Sequence, residues 1–141
     1  MMGLFYMAKT FSYNKHEKLK SRKLIEQLFA KGKAINAHPL RLIYFIPEEK
    51  MDNQLKIGVT VSSRNFKKAV HRNRIKRLMR EAYRLNKAEL VDHIEGSQKQ
   101  IAAFIIYTDK SLPEFDLIQQ KMKVLLNKLI KATSEAAATN S

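Results

Sequence analysis

The chain has 141 residues, carries a formal charge of +14 at pH 7 and is 45% hydrophobic. That length suits one domain with a proper core, and the apolar fraction excludes a disordered polyelectrolyte. With no cysteine, disulfides, thiolate zinc sites and cysteine nucleophiles are excluded, and the composition fits a reducing cytoplasm, the compartment expected here. So large a cationic excess makes the domain repel itself. A polyanionic partner is therefore implied, nucleic acid before an anionic membrane. No apolar run approaches the roughly 18 residues that cross a bilayer, so no membrane role is expected.

In chain order, residues 1–15 read as a flexible N-terminal extension, 16–131 as the folded domain and 132–141, ATSEAAATNS, as a flexible tail. Residues 18–30, KLKSRKLIEQLFA, place Leu24, Ile25, Leu28 and Phe29 at helical spacing, with Gly32 as the stop. Residues 40–46, LRLIYFI, are strand formers ended by Pro47, and a short strand is expected before them near 34–36. Residues 55–61, LKIGVTV, alternate: Ile57, Val59 and Val61 face one way, Lys56, Gly58 and Thr60 the other. With PEEKMDN as the turn, 40–46 and 55–61 read as an antiparallel hairpin. A basic helix is predicted over 67–91, broken by GSQKQ. Residues 101–108, IAAFIIYT, are apolar on both faces and read as a central, covered strand. The passage from 55 to 108 invites a parallel strand pair with a crossover helix. The last helix, 114–131, is amphipathic through Phe115, Ile118, Met122, Leu125 and Leu129. The predicted fold is α+β, in the order α-β-β-β-α-β-α: a single-domain sandwich with helices packed on a small central sheet.

The basic helix holds the most information. From 64 to 87 there are ten Arg or Lys and one acid, Glu81. At about 100° per residue, Arg72, Lys76, Arg80, Asn73, Arg84 and Arg77 fall within one arc of roughly 140°. Leu78, Ala82, Ile75, Met79 and Tyr83 are assigned to the opposite, packing arc, and Arg74 lies near the edge of the basic one. A merely solvated helix back normally mixes Glu with Lys at i, i+4, because such pairs stabilise the helix. Here the arc has no acid, and the guanidinium forks suit bidentate phosphate contacts. The geometry implies polyanion binding and leaves RNA or DNA open. A DNA-reading helix-turn-helix is disfavoured, because a strand and not a second helix precedes residue 67.

RNRIKRLMREAYR, 72–84, resembles the signature helix of the bacterial ribonuclease P protein component. KLKSRKLIEQLFAKGK, 18–33, is similar to that family's first helix and following glycine, and LKIGVTVSSRNFKKAVHRNR, 55–74, to its strand running into the signature helix. The similarity covers roughly 16–131, in the family's order. Two positions depart from it. FKKAV, 66–70, stands where many members have Gly-Asn-Ala-Val, which leaves the turn into the helix open. Ile25 stands where the first helix of the family has an aromatic, which removes one stacking platform.

The resemblance implies a subunit of ribonuclease P, the endoribonuclease that removes the 5′ leader of precursor tRNA. In that family the RNA subunit with Mg²⁺ does the chemistry, so no catalytic residue and no cofactor of its own are expected of this chain. Its metal ligands are left unassigned. The sequence agrees: His16, His38, His71 and His93 are scattered, and the acids Glu48, Glu49 and Asp52 sit in a turn. The implied partners are the catalytic RNA and precursor tRNA, with no DNA or membrane, and the protein alone is expected to be monomeric. The expected contacts to the catalytic RNA are Arg64, Lys67, Lys68, Arg72, Asn73, Arg74, Lys76, Arg77, Arg80 and Arg84. The leader is expected in a cleft between the first helix and the sheet, with Ile25, Phe29, Tyr44 and Lys56 as candidates. The spacing of Phe29 fits a core residue equally well. An unusual left-handed crossover between the parallel strands is expected from the resemblance alone. The alternatives are a general RNA-binding or ribosome-associated protein and a stand-alone nuclease.

Overall fold

Four strands form one sheet in the order β1-β2-β4-β3, where β1 is Lys33–Ala37, β2 Leu40–Phe45, β3 Leu55–Val61 and β4 Ile101–Tyr107. The helices are α1 (Arg22–Lys31), α2 (Ala69–Asn86), α3 (Ala88–Ser97) and α4 (Phe115–Thr139). The computed structural model describes residues 18–139, apart from 20, 49, 52 and 98. The N-terminal extension, His16, Glu49 and Asp52 lie outside the described residues.

Strand β4 is central, as its two-sided apolar sequence requires. It pairs antiparallel with β2, from Leu40↔Tyr107 to Phe45↔Ala102, and parallel with β3, from Leu55↔Ile101 to Val61↔Tyr107. The expected hairpin of 40–46 with 55–61 is therefore not formed, because β4 inserts between them. Strand β3, with Lys56 and Thr60 on one face, takes an edge of the sheet, whereas β4, apolar on both faces, lies inside between β2 and β3. Residues 46–54 instead cross the end of β4 and are held there by Gln100. Its Nε2 donates to the Pro47 carbonyl at 2.9 Å, and its Oε1 accepts from the Met51 N–H at 2.8 Å. The short strand expected near 34–36 is present as β1, antiparallel to β2.

Helix boundaries shift for local reasons. Helix α1 starts after Ser21, whose Oγ accepts from the Leu24 N–H at 3.4 Å, four residues later than the expected start at 18. The residues ahead of it run along the edge of β3: Lys18 bridges Ile57, and the Leu19 N–H donates to the Ile57 carbonyl at 3.2 Å. The single helix expected over 67–91 is two helices, parted at the buried Lys87, so the order is α-β-β-β-α-α-β-α. Gly96 lies inside α3 and not in the break. Helix α4 extends past residue 131 because Thr133 is buried and tied. Its Oγ1 donates to the Leu129 carbonyl at 2.9 Å and lies 2.9 Å from His93 Nε2 on α3.

The sheet separates two apolar layers. Ile57, Ile75, Met79, Tyr83, Leu90, Ile105, Ile118, Met122 and Leu129 fill the larger one, between the sheet and α2, α3 and α4. Under α1, the buried Leu19, Leu28 and Ala102 join Leu24, Ile25, Ile43, Phe45 and Phe104 in the smaller. Tyr44 belongs to the larger core and is 8% exposed. Strand alternation therefore puts it on the face opposite α1, and the sequence-based placement of Tyr44 in the cleft is corrected. Tyr44→Ala should cost about 3–5 kcal/mol of stability, against about 1 kcal/mol or less for Phe29→Ala. Urea unfolding of the two variants measures the difference.

Candidate nucleic-acid interface

Helix α2 buries Ile75, Met79, Ala82 and Tyr83 against the sheet. That rotates the exposed face relative to the predicted one. On the wheel, Tyr83 falls only about 20° from Arg72, inside the expected basic arc. Arg72 and Lys76 flank it and are half-buried. The exposed cations are Arg74, Arg77 and Arg80, with Asn73 among them. Arg74, expected at the margin, is exposed. Arg64, Lys67 and Lys68 extend the same charge around the turn that enters the helix, and all three are exposed.

Two expected RNA contacts are committed within the protein. Arg84 Nε donates to Glu81 Oε2 at 3.1 Å, and Nη2 completes a bidentate pair with Oε1. This guanidinium holds the Glu81 carboxyl below its ordinary range. The pair neutralises the lone acid of α2 and removes one cation from the exposed row. Arg72 Nη1 donates to the carbonyls of Phe66, at 2.7 Å, and Lys67, at 2.8 Å. It closes the turn that FKKAV left open. Nothing in the alternation of charge and apolar residues signals this, because it depends on where the preceding loop runs.

The second surface is the sheet face that carries α1. Strand register sets three cross-strand rows on it: Phe45–Ala102–Lys56, Ile43–Phe104–Gly58 and Arg41–Ile106–Thr60. Rows lie about 6.6 Å apart, two residues along each strand. Leu28, Ile25 and Leu24 of α1 pack on the first two rows, and Arg41, Ile106 and Thr60 are left half-buried or exposed. Phe29 stands at the border, 55% exposed, its ring centroid 6.0 Å from that of Phe104. Phe29 is thus not a core residue. Of the expected cleft residues, Ile25, Phe29 and Lys56 share this face and Tyr44 does not.

Phe104 and Arg41 are the members that sequence reasoning missed. Phe104 was absorbed into a strand apolar on both sides, and its function depends on its partner. A Cβ on Gly58 would come within 2.7 Å of the Phe104 ring, so the ring lies directly over the glycine backbone. Only glycine admits this cross-strand contact. Arg41 sits two residues before Ile43 on β2, a phase that the alternation does contain. Among the described residues, no group of three or more His, Asp or Glu side chains comes together as a metal site, and no helix is long and apolar enough to cross a membrane.

Fold and surfaces together define a small basic domain of a polyanion-binding kind: a cationic helix on one side of a sheet, and an aromatic half-open face on the other. Residues 13–130 match the sequence model of the family described as Ribonuclease P, and the chain belongs to that family. It is 36% identical over 132 residues to the ribonuclease P protein component of Porphyromonas gingivalis, which covers 93% of this chain and 96% of that one. It is 35% identical over 128 residues to the corresponding protein of Chlorobium phaeobacteroides, covering 84% and 88% of the two chains. Among solved structures, the RNase P protein of Staphylococcus aureus superposes with a TM-score of 0.62 at 18% identity, over 80% of this chain and 94% of that one. The RNase P protein of Thermotoga maritima does so with a TM-score of 0.59 at 22% identity, over 79% and 96%. These two likenesses concern the fold. Membership makes the chain the protein subunit of ribonuclease P, the endoribonuclease of tRNA 5′ processing, with the RNase P RNA as its partner.

Two substitutions probe the surfaces. Glu81→Gln releases the Arg84 guanidinium and is expected to steepen the salt dependence of RNA binding, by up to about 0.9 in the slope of log K against log salt. A filter-binding titration from low to moderate salt reads this directly. Gly58→Val forces the Phe104 ring off β3 and should cost about 1–3 kcal/mol of stability. Thermal unfolding measures that loss.

Proposed function

We propose that this subunit holds two RNAs on opposite faces of one sheet: the catalytic RNA along α2, and the single-stranded 5′ leader of precursor tRNA against the α1 face. The observation that carries the first half is the exposed row Asn73, Arg74, Arg77 and Arg80, on a helix whose single acid, Glu81, is paired with Arg84. Cations in this density make charge-assisted phosphate contacts with little reading of sequence. The second half is supported by Phe29 and Phe104, which offer π-faces to unpaired bases, with Arg41 and Lys56 supplying charge at the two ends of the rows. Stacking tolerates any base, which suits a leader that differs from one tRNA to the next. The chemistry stays with the RNA subunit and its Mg²⁺, and the protein lowers the repulsion between two polyanions brought together. The cytoplasm is the compartment assigned, on the cysteine-free composition and the RNA partners.

Reconstitution tests this reading. Added to a bacterial ribonuclease P RNA at low Mg²⁺, the protein should restore leader removal. Arg77→Ala with Arg80→Ala should weaken binding to the RNA subunit and lower the salt slope by about 1.5. Phe29→Ala with Phe104→Leu should weaken precursor tRNA binding by about 10-fold or more, from about 1–3 kcal/mol per stacked base, and leave mature tRNA binding unchanged. Equal losses for precursor and mature tRNA contradict the cleft assignment. Cleavage by the protein free of RNA contradicts the division of labour.

A further inference from the structure

The N-terminal end of α2 lacks the side chains that ordinarily close a helix start. Its N-cap position is Lys68, which makes no side-chain capping bond, and no acid stands in the first turn. Cations gather there instead, at Arg64, Lys67 and Lys68, against the positive end of the helix dipole. Two kinds of contact hold this unfavourable turn. One anchors it to the end of β4. The Phe66 ring is buried with its centroid 6.0 Å from that of Tyr107, and Asn65 Nδ2 donates to the carbonyls of Thr108, at 3.3 Å, and Asp109, at 3.4 Å. The other comes from the helix itself. Arg72, one turn in, reaches back with Nη1 to the carbonyls of Phe66 and Lys67, at 2.7 and 2.8 Å. Its half-buried place, on the same angular side of the helix as the buried Tyr83 and off the exposed row, matches that inward use.

We infer that Arg72 is a positioning residue: its guanidinium braces the turn at 66–68 so that Lys67 and Lys68 meet the same RNA backbone as Asn73, Arg77 and Arg80. The inference rests on the RNA-binding reading of α2. Its physical basis is entropy. Fixing a backbone residue costs about 1–2 kcal/mol, and a turn already fixed in the unbound protein does not incur that cost on binding. One terminal nitrogen of a rigid, planar guanidinium that reaches two carbonyls suits this role, and a lysine ammonium on its flexible stem replaces it only in part.

The experiment compares salt slopes of catalytic-RNA binding for full-length variants whose folding is verified by thermal melting. Arg72→Ala should lower the slope by about 1.5, the equivalent of two phosphate contacts. Lys67→Ala with Lys68→Ala should lower it equally, and adding Arg72→Ala to that pair should change it no further. Arg72→Lys should lie between Arg72→Ala and the unaltered protein. Hydrogen exchange on the protein alone should quicken at the amides of Phe66 and Arg72 in Arg72→Ala and recover partly in Arg72→Lys. The Arg72→Lys variant carries the same comparisons if Arg72→Ala does not fold. Additive slopes in the triple variant overturn the inference, because they mean that Arg72 holds a phosphate of its own; unchanged exchange over 66–72 overturns it equally. Arg77→Ala separates the two levels. If it leaves the slope intact, the RNA-binding reading of α2 has failed, and the inference falls with it.

Discussion

Strand β4 is the constraint on which the other elements depend. Seven residues, IAAFIIY, are apolar on both sides and need a neighbour at each edge and a cover on each face. Meeting that need parts β2 from β3 and makes the β3–β4 pair parallel. A parallel pair cannot close through a tight turn, so the chain must return across one face of the sheet. Helices α2 and α3 are that return. The most basic element of the molecule is therefore fixed on one side of the sheet by the burial of Ile75, Met79 and Tyr83, while the other side is left to the short helix α1.

The two surfaces differ in how they stand apart from the core. On α2, apolar anchoring on one side lets like charges accumulate on the other, with Glu81–Arg84 as local relief. That repulsion makes the helix costly in isolation and useful beside a polyanion. On the α1 face the helix is too short to cover every row of the sheet. Phe29 is left half out of the small core, against a Phe104 ring that Gly58 admits. The cationic row and the aromatic contact are thereby separated by the thickness of the sheet, which is what the proposed division between two RNAs requires.

Much of this was legible in the residues. The basic helix and the amphipathic last helix follow from periodicity, the central strand from a run apolar on both faces, and the parallel crossover from the strand–helix–strand order. What periodicity could not supply was partnership. The β2–β3 hairpin looked satisfactory until β4 claimed both neighbours. Tyr44 and Phe45 are adjacent aromatics on β2, and which one faces α1 is a matter of phase set by Tyr44↔Ala103 pairing. Tyr83 packs as expected, but an arc centred on the cations put Arg72 in the exposed row and Arg74 at its margin, whereas Arg72 is half-buried and Arg74 exposed. The inward bonds of Arg72 and the contact of Phe104 with Gly58 join residues whose meeting depends on tertiary placement, which local patterns do not encode.

The central claim is that the α2 side meets the catalytic RNA and the α1 side the leader. The cysteine-free chain allows a direct measurement: a single cysteine at Arg74 or at Ala30, each exposed, carrying a tethered hydroxyl-radical probe in the reconstituted holoenzyme with precursor tRNA. The probe at Arg74 should cut the catalytic RNA and spare the leader, and the probe at Ala30 should cut the leader. Both probes cutting the same RNA, or the reverse assignment, would contradict the account.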